Sequence, residues 1–175
     1  MSKHILIAAI FVLVGLHTSS AAAKPNPILT QAAQTLEPRV TSVECTPYLL
    51  GYAATAPVDG SIWMNSYLCN PLKLLYGGYL DRPGRAGAGL ITLEHEVLHI
   101  TAPTFSEARV ECVAFQTVDN DLRLWKTPFW MRGLILEDAY QDHYNLIYSQ
   151  KVYRNDTKCR PDGAWDTTPG DGNWP

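Results

Sequence analysis

One segment constrains the fold more than any other. In Leu90–Thr101, Leu90, Leu93 and Val97 cluster on one side of a helical wheel, and Ile91, Thr92 and Leu98 flank the opposite side. A helix apolar almost all round has to be enclosed by other elements, so the chain is expected to build one core around it. That opposite side also carries His95 and His99, with Glu96 between them. Residues four apart on a helix stand about 40° from each other and one turn apart, so both imidazoles point the same way. A lone histidine on a buried face is ordinarily a core side chain holding one hydrogen bond. A pair has a sharper use: both rings can reach one tetrahedral ion, and Glu96 is set to take a proton from water bound to that ion.

An open zinc site needs a third protein donor. Candidates lie downstream in Ser106–Phe115, where Glu107 and Glu111 share a helical face with Val110, Ala114 and Val118 while Arg109 points away. Two carboxylates on an apolar stripe are costly to bury without a cation or strong hydrogen-bond partners. A zinc ion on one and a histidine N–H on the other would satisfy both. The alternative is a pair of surface acids on an amphipathic helix.

His95-Glu96-Val97-Leu98-His99 followed by Glu107-Ala108-Arg109-Val110-Glu111-Cys112-Val113-Ala114 resembles the gluzincins, the HExxH zinc metallopeptidases whose third ligand is a Glu on the next helix. It is also similar to small exported bacterial proteins with an HExxH…EAxxEC pattern. The resemblance spans about twenty-five residues. It implies a zincin-like fold, Zn2+ as cofactor, His95, His99 and Glu107 as metal ligands, Glu96 as general base, and Glu111 supporting a ligand histidine from behind. Seven residues separate His99 from Glu107, fewer than in most gluzincins, so the turn through Ala102–Phe105 has to be tight. Glu111 therefore stays open as the alternative ligand. The metzincin pattern is excluded because position 105, where a third His would stand, is Phe.

The address is read from the N-terminus and the cysteines. Residues 1–23 have one Lys, an apolar run Ile5–Leu16 and a small-residue exit at Ala21-Ala22-Ala23, the pattern of a secretory signal. The run is shorter than the roughly 20 residues a membrane-crossing helix needs, so no stable membrane span is expected. Cys45, Cys69, Cys112 and Cys159 all follow it, an even count that suits an oxidising compartment. Of the three possible pairings we favour Cys45–Cys69, flanking a hairpin, and Cys112–Cys159, tying the C-terminal segment to the middle. A cysteine zinc site is disfavoured, since no CxxC spacing occurs. The net charge of −3 argues against a general grip on nucleic-acid phosphates.

Turn and cap residues set out the remaining elements. Pro27–Leu36 reads as a short helix; Arg39–Tyr52 and Val58–Leu68 read as strands around the turn Ala56–Gly60. Asn70-Pro71 suits a helix start, running to Gly77-Gly78, and Arg82–Gly89 reads as a Pro/Gly-rich loop. Ser106 suits the cap of a helix from Glu107 to about Thr117, and Thr127-Pro128 opens a long helix to about Gln150. On that helix Tyr140, His143 and Tyr144 have the chemistry of oxyanion donors, although aromatic residues at such spacing are more often packing. The expectation is an exported α+β protein, mostly helical with a small N-terminal β-hairpin or sheet: signal 1–23, zincin-like domain 24–156, and a loose Pro/Gly-rich tail 157–175. Its expected activity is hydrolysis of a peptide or protein substrate by a secreted, periplasmic or envelope-located monomer. The alternative is a non-catalytic, zinc-stabilised binding protein of the cell envelope.

Overall fold

The computed structural model describes residues 24–47, 53–56, 58–149, 157–167 and 169; the expected signal lies outside them. The chain mixes helix and strand and is mostly helical. Helix α1, Pro27–Leu36, starts with Pro27 in its first turn and Asn26 as cap, whose Oδ1 accepts from the Leu29 N–H at 3.1 Å. Strands β1 (Ser42–Thr46), β2 (Ala53–Ala56) and β3 (Ser61–Asn65) form one sheet in the order β1-β3-β2. Alternation along the strands turns Val43, Ile62 and Met64 into the core.

The expected hairpin needs correcting. Its turn falls where expected, but the arm that pairs antiparallel with β3 is the short β2; β1, cut from the longer run Arg39–Tyr52, lies parallel to β3 with Val43 opposite Ile62. Gly60 makes the turn possible. At φ +73° it sits in the left-handed region, and a Cβ there would stand 2.3 Å from the Arg39 carbonyl oxygen.

Helix α2, Ser66–Tyr76, begins earlier than Asn70-Pro71 suggested, because Asn65 supplies the cap through its bond from the Tyr67 N–H. Both expected disulfides are present, Cys45–Cys69 joining β1 to α2 and Cys112–Cys159 joining the C-terminal segment to helix α4, Glu107–Leu124. That segment was expected to trail away. Its described part is instead held against α4, with the Gln116 Nε2 donating to the Trp165 carbonyl at 3.0 Å and the Thr167 N–H donating to the Gln116 Oε1 at 2.7 Å.

The central helix α3 spans Pro83–Thr101 and packs against α1, α2, β2, α4 and helix α5, Phe129–Ser149. Arg82–Gly89 is therefore no loop: Pro83–Gly89 makes the first two turns of α3. Glycine is a poor helix former, but here its missing side chain lets neighbours approach. A Cβ on Gly87 would lie 2.5 Å from that of Ala139 on α5, and one on Gly89 would lie 3.1 Å from the Leu68 carbonyl oxygen on α2. Tertiary packing overrides local propensity at both positions. It also delivers the enclosure that the apolar helix demanded, with Leu90 and Leu93 fully buried.

Candidate metal centre

The site is built where the second half of α3 meets the first half of α4. Five residues, Ala102–Ser106, link the two helices; the Phe105 N–H closes a turn onto the Ala102 carbonyl at 2.9 Å. Arg109 lies over the Phe105 ring, 3.7 Å from its centroid, and fixes the link from outside. Ser106 occupies the expected cap position without a side-chain bond; its carbonyl accepts from the Arg109 and Val110 N–H groups. Glu107 is thereby the first residue of α4, where the positive end of the helix dipole favours a carboxylate.

The tight connection brings Glu107 back onto the histidine pair. His95 Nε2 and His99 Nε2 are 3.1 Å apart, Glu107 Oε2 stands 3.2 Å from the first, and Glu107 Oε1 stands 3.6 Å from the second. His95, His99 and Glu107 together could hold a metal ion. Their spacing fits one: ligands about 2.1 Å from a tetrahedral ion stand roughly 3.4 Å from one another, the length of a tetrahedron's edge at that radius. All three observed separations lie close to that length.

Glu111 faces the other ring nitrogen. Its Oε2 is 2.6 Å from His95 Nδ1, with both side chains nearly enclosed. That contact fixes the ring so that Nε2 is the nitrogen turned toward His99 and Glu107. Burial pulls the His95 pKa down, but the hydrogen bond and charge of Glu111, joined by Glu96 and Glu107, outweigh it and leave the pKa raised. His99 goes the other way, lowered by burial and by the neighbouring His95. Glu96 is buried beside this group. Desolvation, reinforced by Glu107 and Glu111 and opposed by His95, pushes its carboxyl up to about 7.

Of the oxyanion candidates, only Tyr140 has its side chain among the described residues. Tyr140 packs its ring 5.8 Å from that of Phe115, while the side chains of His143 and Tyr144 lie outside the described residues. Two further acids that nothing in the motif singled out are also buried, Glu94 of α3 and Asp121 of α4, each with one carboxylate oxygen lacking a hydrogen-bond partner. Desolvation, reinforced by the charge of Asp121, pushes Glu94 up to about 8; desolvation raises Asp121 to about 7, and in both cases the Thr117 hydroxyl works in the opposite direction. The clue to Glu94 was an acid on a helix too apolar to have a wet side. Asp121 had no such clue, because α4 was expected to stop near Thr117.

No family model, curated protein or solved structure matches the chain. Its chemistry has to be argued from its own residues. Among those described, every buried ionisable side chain lies on α3 or α4, four carboxyls against one imidazole. Such an excess of buried acid calls for protons or a cation.

Proposed function

We propose that the chain is an exported, zinc-dependent metallopeptidase of gluzincin type, with a zincin-like arrangement of its active-site helix. The observation that carries the reading is the convergence of His95 Nε2, His99 Nε2 and a Glu107 carboxylate at separations suited to one tetrahedral ion. Nitrogen and carboxylate donors suit zinc, and three protein ligands leave a position for water. A zinc ion held by His95, His99 and Glu107 would supply a Lewis acid and lower the pKa of bound water.

The remaining chemistry belongs to the chain. Glu96, with a carboxyl held near neutrality, accepts the proton from the attacking water and returns it to the departing amine. Glu111 holds the His95 ring by its Nδ1, so that in the neutral ring the proton sits on Nδ1 and Nε2 is the nitrogen that would face the metal. Glu107 brings negative charge to the ligand set from a half-exposed position, 45% of its side chain being accessible, so the site is open on that side. Two disulfides support an extracytoplasmic location; no helix among the described residues is long and apolar enough to cross a membrane.

Zinc per chain and cleavage of a peptide library, measured together, test the reading. About one zinc per chain, lost in His99→Ala, is expected, with peptide cleavage lost in Glu96→Gln while the zinc stays. Zinc without cleavage by the unmodified chain would move the assignment to a metal-stabilised binding protein. A folded chain that takes up no zinc overturns both.

A further inference from the structure

Far along the chain from the histidines, α4 and α5 meet in an elbow that departs from the usual surface. Lys126, just beyond the end of α4, is left-handed at φ 58°, and the Thr127 N–H returns to the Leu122 carbonyl at 2.8 Å, so the chain reverses sharply. Around this reversal Phe129 is 82% exposed, Trp130 61%, Leu124 55% and Leu134 47%. Trp130 and Leu134 lie four apart on one face of α5, and the Gly133 position beside them opens on empty space. Met131 and Ile135 on the opposite face are buried, so packing of α5 does not need the outward side chains.

Charge at the elbow runs against that of the whole chain. Arg123–Leu134 holds Arg123, Lys126 and Arg132 and no acid, in a protein of net charge −3. Asp119 binds both arginines from the preceding turn, at 2.6 Å and 3.1 Å, and Arg132 lies beneath the Phe129 ring, 5.6 Å from its centroid. With Asp119 counted, three cations stand against one carboxylate; Arg123, 61% exposed although held by Asp119, and the exposed Lys126 lie at the surface, and the exposed Glu137 follows three residues after Leu134.

From this we infer a membrane-surface docking site: the elbow seats Phe129, Trp130, Leu124 and Leu134 in the interfacial layer of an anionic bilayer while Arg123 and Lys126 face lipid phosphates. Four exposed apolar side chains are few beside the roughly 20–30 residues a side of a stable protein interface. They suffice for the interface of a bilayer, where tryptophan, phenylalanine and flanking cations concentrate.

Vesicle flotation tests this, using chain purified after export with its N-terminus read by mass spectrometry, so that every variant carries the same N-terminus. Vesicles of phosphatidylcholine alone are compared with vesicles containing about a third phosphatidylglycerol, whose negative surface attracts exposed cations. The unmodified chain is expected to float with the anionic vesicles, Phe129→Ser/Trp130→Ser to lose about tenfold or more in partitioning, and Lys126→Glu to weaken only the anionic case. Tyr79→Ser, which alters an equally exposed ring elsewhere, should partition like the unmodified chain. All of these side chains are exposed, so melting curves should stay superimposed and separate docking from folding. Failure of the unmodified chain to float, or equal flotation by the double variant, overturns the inference. So does a dimer in ultracentrifugation that the double variant abolishes while neither form binds vesicles, which would give the face to a second copy.

Discussion

Replacing Glu111 separates the two carboxylates that the sequence left in competition. Its Oε2 accepts from His95 Nδ1 at 2.6 Å, and the two side chains are 5% and 10% exposed, so water cannot take its place. Losing a carboxylate that orients a ligand histidine costs about 10–100-fold in metal affinity, or roughly 1.4–2.7 kcal/mol. Glu111→Gln keeps an acceptor and loses the charge; charge-assisted bonds are about twice as strong as neutral ones, which puts this variant near the tenfold end. Glu111→Ala leaves a buried N–H without a partner and belongs near the hundredfold end. On the proposed reading Glu107→Ala would remove a donor from the ion itself, and its loss should exceed both. Zinc competition against a chelator, on apo-protein whose fold is checked by circular dichroism, ranks the three. If Glu111→Ala weakens zinc more than Glu107→Ala, Glu111 is the ligand and the tetrahedral reading of the Glu107 distances fails. If Glu111→Gln and Glu111→Ala both bind zinc as tightly as the unmodified chain, the contact with His95 does nothing for the site.

Other consequences can be measured on the same protein. The raised Glu94 and Asp121 carboxyls hold protons that the unfolded chain releases from its ordinary values of 4.5 and 3.8, so their contribution is complete below about 4 and is lost as pH rises through about 7–8. Glu94→Gln should therefore flatten the fall in denaturant stability between pH 5 and 8 and stabilise the chain by about 1 kcal/mol or more at pH 8; an unchanged slope would mean that Glu94 is already ionised at neutral pH. The apo-protein owes a similar contribution to the raised His95, present below its ordinary 6.5 and lost as pH climbs through the folded value. Zinc needs the neutral ring, so affinity in the chelator assay should rise over that range. Gly87→Ala drives a methyl into Ala139 on α5 and should cost about 1–3 kcal/mol in denaturant melts; a neutral result would show that α3 and α5 are free to move apart. Cys112→Ser/Cys159→Ser opens a link between residues 47 apart in sequence and should cost about 2–4 kcal/mol, with faster proteolysis of the segment after Thr157.

The site was more legible in the sequence than the fold around it. Helical spacing fixes where His95 and His99 point from a single segment, and Glu107 with Glu111 follows from the same periodicity on the next helix. The resemblance assigns Glu107 to the metal and Glu111 to the ligand histidine, with Glu111 open as the alternative ligand, and spacing alone does not decide between them. The choice depends on the five-residue link after Thr101, whose turn decides which carboxylate faces Nε2 and which Nδ1. Both disulfide pairings are as expected, although the reason for the first held only in part: Cys45 lies on β1, which runs parallel to β3 and is no arm of the antiparallel pair β2–β3. The parallel placement of β1 beside β3 is a long-range choice with no local mark, and alternation alone cannot say whether a neighbour runs up or down. Arg82–Gly89 failed for a related reason: two glycines and a proline spell a loop locally, and only the closeness of Ala139 and Leu68 turns them into helix.

The close glycine contacts and the buried acids are connected through α3. A helix that meets its neighbours through Gly87 and Gly89 lies deep in the molecule, and depth is what makes its ionisable groups expensive. Glu94, Glu96, Glu111 and Asp121 would each be ordinary carboxylates on a surface; around α3 three are pushed toward neutrality, while Glu111 spends its charge on His95. Replacing them with apolar residues would leave a more stable core. Their placement on both sides of a histidine pair makes sense if a cation carries part of the balance. Metal loading should then stabilise the fold as well as fill the site, raising the melting temperature with zinc concentration in the unmodified chain and in Glu96→Gln, but not in His99→Ala. A melting temperature indifferent to zinc in all three would detach the buried acids from any metal and leave protons as their only counterweight.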